Sequence, residues 1–298
     1  MNTNKKRFFI KFNWLFLILC LSVSAYAQQT QLKSELPANV ENHKLDSKLM
    51  AREMPYRVVL PSGYKVSNEK TFYPVIYLLH GLTGHFNNWT DSSKLSDYNS
   101  KHNFIIVTPE GNNGWYTDSA TVANDKYESY IIKELIPEID KKFRTQTDRN
   151  HRVVAGLSMG GYGSIKFGLK YPEMFTLVGS FSGALGAASL TEKEVGTKGV
   201  IAESILGVYG AADSETRKQN DAFKLIREMP ADKIRNLPFI YVDCGTEDFL
   251  FQSNRDFVNL LVEKKVRHEY RQLPGAHDWK FWDAQIQEFL ELSEKFVK

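Results

Sequence analysis

The octapeptide Gly156-Leu157-Ser158-Met159-Gly160-Gly161-Tyr162-Gly163 joins two stretches of opposite periodicity. Before it, His151 to Ala155 is a short apolar run that reads as a buried strand. After it, Gly161 to Leu169 carries helical spacing. G-x-S-x-G between a strand and a helix is the nucleophile-elbow pattern, in which a tight turn lifts the serine above the sheet edge. Small residues on either side let strand and helix pack closely. The pattern alone also describes a plain glycine-rich turn; the strand before it and the helix after it favour the catalytic reading, with Ser158 as nucleophile.

The rest of the chain continues this alternation. Lys48 to Leu60 alternates with Tyr56, Val58 and Leu60 on one face, and Pro61-Ser62-Gly63-Tyr64 ends it, as in an antiparallel edge strand or hairpin. Val75 to Leu79 and Phe104 to Val107 are continuous apolar runs, the form of strands buried on both faces. Between Tyr127 and Phe143, Tyr130, Ile131, Leu135 and Ile139 recur at helical steps, and Pro137 predicts a bend or restart. Leu177 to Phe181, Phe239 to Val242 and His268 to Leu273 read as strands, Phe251 to Lys264 and Trp279 to Phe296 as helices. Residues 184–236 break the rhythm with glycines, charges and short helical pieces. They read as an insertion, the kind that lies over an active site or simply covers the surface. The order implies an α/β architecture over residues 47–298: one doubly wound, mostly parallel sheet with helices on both faces and functional loops at the carboxyl ends of the strands.

The amino terminus reads as a targeting segment. Lys5, Lys6, Arg7 and Lys11 precede the apolar run Trp14 to Val23, and Ala25-Tyr26-Ala27 matches a small-x-small cleavage site. Residues 1–27 are therefore expected to be a signal peptide cut near Ala27, making the protein secreted or periplasmic. The apolar run is short for a membrane span, so no stable membrane anchor is expected. Leu19, bulky before Cys20, argues against a lipoprotein. Residues 28–46 are polar without a clear period and read as a weakly packed leader. Removing residues 1–27 takes four cations and no acids, so the formal charge falls from +3 to −1. With no basic cluster interleaved with aromatics, nucleic acid is not an expected partner. Cys244 is then the sole cysteine, so the core, built from about 270 residues, must supply the stability.

A serine hydroxyl needs a base within hydrogen-bond reach and a third group to orient that base. When the nucleophile sits on such an elbow the chain order is serine, acid, histidine. After Ser158 only His268 and His277 remain. His268 starts an expected strand, whereas His277 lies in the turn Pro274-Gly275-Ala276-His277-Asp278 before the last helix, where a base above the sheet belongs. For the acid, the segment after Phe239 to Val242 offers Asp243, Glu247 and Asp248; Asp243 ends the strand and Glu247 reads as a solvated loop carboxylate. Asp248 lies past the Gly245 turn, where a side chain can swing toward the histidine loop. Asp278 reads as a helix cap. Oxyanion donors are expected from Met159 N–H and from Leu82 N–H in His80-Gly81-Leu82-Thr83-Gly84, with His80 structural. Trp115 and Tyr116, in a loop after a strand, are candidate substrate-stacking residues, with core packing as the alternative; Trp89, Trp279 and Trp282 carry the same choice. Without H-E-x-x-H or paired C-x-x-C, no metal is expected.

Taken together, His80 to Gly84, Gly114-Trp115-Tyr116, Gly156 to Gly163, Cys244 to Asp248 and Gly275 to Trp279 resemble the esterase D family. That family includes feruloyl and acetylxylan esterases, S-formylglutathione hydrolases and mycolyltransferases. The resemblance spans roughly residues 48–298 and implies an α/β-hydrolase fold, no cofactor, and an acid at the position matched by Asp248. The export signal departs from the cytosolic formylglutathione hydrolases and brings the chain closer to the secreted carbohydrate esterases. The resemblance thus implies a serine esterase acting on acetyl or feruloyl groups of plant polysaccharides. The other readings are an acyltransferase of the mycolyltransferase type, a formylglutathione-hydrolase-like thioesterase, or a carbohydrate-binding protein on an inactive scaffold.

Overall fold

Continuous apolar runs become the central strands of one eight-stranded sheet in the computed structural model, which describes residues 36–297. The strands are β1 (Val40–Ser47), β2 (Arg52–Val59), β3 (Val75–Leu79), β4 (Ile105–Pro109), β5 (Arg152–Leu157), β6 (Leu177–Phe181), β7 (Phe239–Gly245) and β8 (His268–Leu273), in the order β1-β2-β4-β3-β5-β6-β7-β8. β1 and β2 run antiparallel to their neighbours, and β4 to β8 are joined in parallel. Every residue of β3, β4, β5 and β6 is buried, as expected for strands covered on both faces. This is the doubly wound α/β-hydrolase arrangement.

Side chains of one strand divide between two cores. Val75, Tyr77 and Leu79 of β3 face a cluster with Val154, Ile165 and Leu185, while Ile76 and Leu78 face one with Ala155, Trp282, Ile286 and Phe289. The helices, in chain order, are α1 (Asn88–Asp91), α2 (Leu95–Asn99), α3 (Tyr127–Tyr130), α4 (Ile136–Lys142) and α5 (Met159–Lys170). There follow α6 (Glu192–Val195), α7 (Val200–Tyr209), α8 (Glu215–Asn220), α9 (Ala222–Glu228), α10 (Ala231–Ile234), α11 (Phe251–Glu263) and α12 (Trp279–Ser293). The regular elements of the insertion are all helical, α6 to α10 with a short turn at Ala187–Ser189, and it contributes no strand.

One expectation changes. The polar leader, read to residue 46, gives up its last part to β1, which pairs with β2 from Val40↔Val59 to Ser47↔Arg52. Its burial alternates, and the less exposed positions include Glu41, His43 and Leu45; His43 stacks on Tyr56 at 5.4 Å. The period is present but carried by a carboxylate and an imidazole, which hides it from a reading based on apolar residues. Charged side chains on an edge strand also discourage pairing with another chain. The restart near Pro137 is where the sequence places it: a π-helical turn, Ile131–Leu135, precedes α4, and Pro137 sits in the first turn of α4, where its missing N–H is tolerated. The expected signal peptide, residues 1–27, lies outside the described residues.

Candidate active site

Ser158 stands between β5 and α5 with φ 53° and ψ −113°, a strained conformation for a residue with a side chain. The turn closes because its neighbours lack one. A Cβ on Gly156 would lie 2.6 Å from the Gly160 carbonyl carbon, and one on Gly160 would strike the backbone oxygens of Leu79 and His80. These glycines bring β5, the head of α5 and the end of β3 together. The turn is tied down by Ser158 N–H to Phe181 O at 2.9 Å and by Ala184 N–H to Ser158 O at 3.0 Å.

His277, on the loop between β8 and α12, brings Nε2 to 3.0 Å from Ser158 Oγ, and its Nδ1 lies 2.8 Å from Asp248 Oδ2. The three side chains singled out in the sequence therefore form one hydrogen-bonded series. Asp248 is buried, which alone would raise its carboxyl. Hydrogen bonds from His277 and from Leu250 N–H, the latter at 2.8 Å to Oδ1, outweigh burial and hold it below its ordinary value. The His277 ring lies between two aromatics, Trp282 edge-on at 4.9 Å and Phe249 at 4.6 Å. Trp282 is buried, while Phe249 is 76% exposed.

The competing residues have other partners. His268 Nδ1 bonds Val266 O at 2.8 Å, Glu247 is exposed, and Asp278 caps α12 through Phe281 N–H at 3.0 Å. Asp243 is fully buried and accepts from the Tyr241 hydroxyl at 2.9 Å. Burial raises its carboxyl well above the ordinary range, against the opposing pull of Tyr241 and Arg271.

The loop after β3 abuts the nucleophile: a Cβ on Gly81 would come 3.5 Å from Ser158 Cβ. Among the described residues, no protein group accepts from the N–H of Leu82 or of Met159, which begins α5. His80 is buried, donates from Nδ1 to Gly81 O at 2.7 Å and accepts at Nε2 from Gly111 N–H at 2.9 Å. Both ring nitrogens are thus engaged in joining the loops after β3 and β4.

Trp115 and Tyr116 are not available for stacking on a substrate. Consecutive φ values of 50° and 48° turn both side chains inward. Trp115 donates to Ser204 Oγ at 3.0 Å and packs edge-on against Tyr162 of α5 at 5.9 Å. Tyr116 is wholly buried, lies against Gly163 of α5 and donates to His80 O at 3.0 Å. Trp89 is also buried, donating to Leu79 O at 3.0 Å. Behind Tyr116, the buried ammonium of Lys166 bonds Thr117 Oγ1 at 2.8 Å and pairs with Glu128 at 2.8 Å. Burial opposes the Glu128 charge, but Lys166 and Lys170, the latter at 2.6 Å, hold this carboxyl down at about 2. Phe249 escaped the sequence reading; the signal was a large aromatic directly after the acid in an otherwise polar loop.

The chain carries matching sequence relationships. The Esterase family model, described as "Putative esterase", matches residues 47–291. An acetyl esterase of Caldicellulosiruptor saccharolyticus is 29% identical over 222 residues, covering 74% of this chain and 83% of that protein. An esterase of Mycobacterium tuberculosis is 30% identical over 245 residues, 74% of this chain and 51% of its own length. Among solved structures, a ferulic acid esterase superposes with a TM-score of 0.73 at 28% identity, over 87% of this chain and 98% of that one. With its elbow, sheet order and family match, the chain belongs to the esterase D type family of α/β-hydrolases and is a carboxylic ester hydrolase.

Proposed function

We propose that this esterase removes acetyl or feruloyl groups from plant polysaccharides through an acyl-enzyme on Ser158. The observation that carries the mechanism is the series Ser158–His277–Asp248, with links of 3.0 and 2.8 Å. Ser158 Oγ attacks the ester carbonyl while His277 Nε2 takes its proton. Asp248 accepts from Nδ1–H, fixing the tautomer and stabilising the imidazolium. The N–H groups of Leu82 and Met159 hold the oxyanion. The imidazolium then protonates the departing sugar hydroxyl, leaving the acyl group on Ser158. Water, deprotonated by the same imidazole, releases the acid and restores the serine.

The substrate class draws support from the similar acetyl esterase and ferulic acid esterase. It also draws on the export signal expected in residues 1–27, which would bring the protein to extracellular polymers. Ser158→Ala, assayed with p-nitrophenyl acetate, is expected to lose on the order of a thousandfold or more in kcat. Equal rates for the two proteins would refute the mechanism, and acid release from acetylated and feruloylated oligosaccharides identifies the acyl group.

A further inference from the structure

A groove of about 370 Å³ with charged and amide side chains on its walls opens between the loop after β4 and helix α7. Its place follows from the sheet. β3, β4 and β5 are parallel, so the loops after them share one edge with Ser158. β2 runs the other way, and Tyr56↔Pro109 pairing carries its first residue, Arg52, past the end of β4 onto that same edge. Asn113, on the groove wall, accepts from Thr83 N–H at 2.8 Å, so the groove begins at the proposed oxyanion loop. Two strand spacings of about 4.8 Å separate the ends of β5 and β4, so the loop that carries the groove leaves the sheet roughly 10 Å from the strand that carries the nucleophile. A second cavity, about 300 Å³, is lined by Pro74, Phe104 and His151, residues that precede β3, β4 and β5, and so lies at the opposite edge.

The lining chemistry selects the ligand. Arg52 pairs with Asp125 at 2.8 Å and shares the Tyr127 hydroxyl with the Asn112 amide, at 3.0 and 2.7 Å. Glu203, exposed on α7, faces the same space. With one guanidinium against two carboxylates the groove is net negative, which disfavours an anion. Carboxylates only accept hydrogen bonds, so the ligand must donate, while Asn112 and Arg52 offer donors in return. An acetyl group has no donor, and a feruloyl ring needs flat apolar walls, whereas the apolar groups here are Val122, Val208 and the ring of Tyr127, which is buried with the Arg52 guanidinium 5.7 Å over it. Groups that both donate and accept, set close together, are the hydroxyls of a sugar ring.

We infer that this groove is a glycosyl subsite, holding a sugar unit one or two positions from the esterified one through Glu203, Asn112 and the Arg52–Asp125 pair. This rests on the proposed carbohydrate-ester reading. The test measures kcat/KM for acetylated xylo-oligosaccharides of two to five units, and in parallel for p-nitrophenyl acetate. Wild type should gain about tenfold from the shortest to the longest, the worth of one charged hydrogen bond. Glu203→Ala and, separately, Asn112→Gly should lose that gain while p-nitrophenyl acetate turnover stays unchanged; both side chains are exposed, and glycine accepts the φ of 39° at position 112. A wild-type rate independent of chain length, a gain that persists in both variants, or equal losses on both substrates would overturn the subsite. Absence of p-nitrophenyl acetate hydrolysis by wild type would instead remove the esterase mechanism, and the subsite with it.

Discussion

Asp243 and Asp248, on one strand and the loop that follows it, separate a carboxylate proposed to be catalytic from a structural one. In Asp248→Asn the Leu250 N–H, 2.8 Å from Oδ1, draws the amide oxygen to that position. The amide nitrogen then faces His277 Nδ1, where Oδ2 stood at 2.8 Å. It donates to Nδ1, so the imidazole must carry its proton on Nε2, 3.0 Å from Ser158 Oγ. The ring then donates where it has to accept. Loss of the correct tautomer in such a series costs about 10⁴ in kcat, or roughly 5.4 kcal/mol at 1.36 kcal/mol per decade. Asp243 should behave in the opposite way. Burial raises its carboxyl well above the ordinary range, so its surroundings favour the neutral form, and it accepts from Tyr241 at 2.9 Å. An amide of the same shape keeps that acceptor. Asp243→Asn should stay within about 1 kcal/mol of wild type in urea unfolding and within a few-fold in kcat. Steady-state p-nitrophenyl acetate kinetics on the two variants decide the matter. More than a tenth of wild-type kcat in Asp248→Asn, or a larger loss in Asp243→Asn than in Asp248→Asn, would refute the assignment.

Two further outcomes follow from the surroundings of the site. Glu128, held at about 2 against an ordinary 4.5, contributes about 3 kcal/mol of stability that is fully present above pH ~4.5 and is lost as the pH falls toward 2. Glu128→Gln, which strips buried Lys166 of its partner, should cost about 3–5 kcal/mol at pH 7 in urea unfolding, with the gap to wild type narrowing on acidification; a pH-independent gap would contradict this. Phe249→Ala removes an exposed ring lying 4.6 Å from His277 and should change stability by no more than about 0.5 kcal/mol. If this ring touches the acyl group, kcat/KM for feruloyl esters falls about tenfold, the order expected for one lost aromatic pair, while acetyl ester hydrolysis is nearly unchanged; equal losses on both esters would exclude that contact.

What the residues reveal before folding depends on how local the determining physics is. β3, β6 and β8 begin and end where the sequence places them, because apolar runs and turn residues are properties of neighbours along the chain. The series Ser158, Asp248, His277 is legible for a similar reason: each residue sits on a turn whose chemistry is local, and the fold class supplies their order. β1 is hidden because Glu41, His43 and Leu45 become partly buried only when Met54 to Val58 arrive opposite them. Trp115 and Tyr116 show the limit most clearly. An aromatic pair in a glycine-rich loop has the composition of a binding platform, yet two positive φ values turn it inward, and the partner that completes it, Ser204, lies 89 positions away on α7. The same insertion supplies Glu203, so the element that buries the expected platform also forms a wall of the polar groove. Each segment of that groove, from Arg52 to Glu203, is an ordinary solvated stretch by itself. Its chemistry exists only after β2 overshoots β4 and α7 closes the far side, so the proposed subsite is encoded less locally than the turns that carry Ser158, Asp248 and His277.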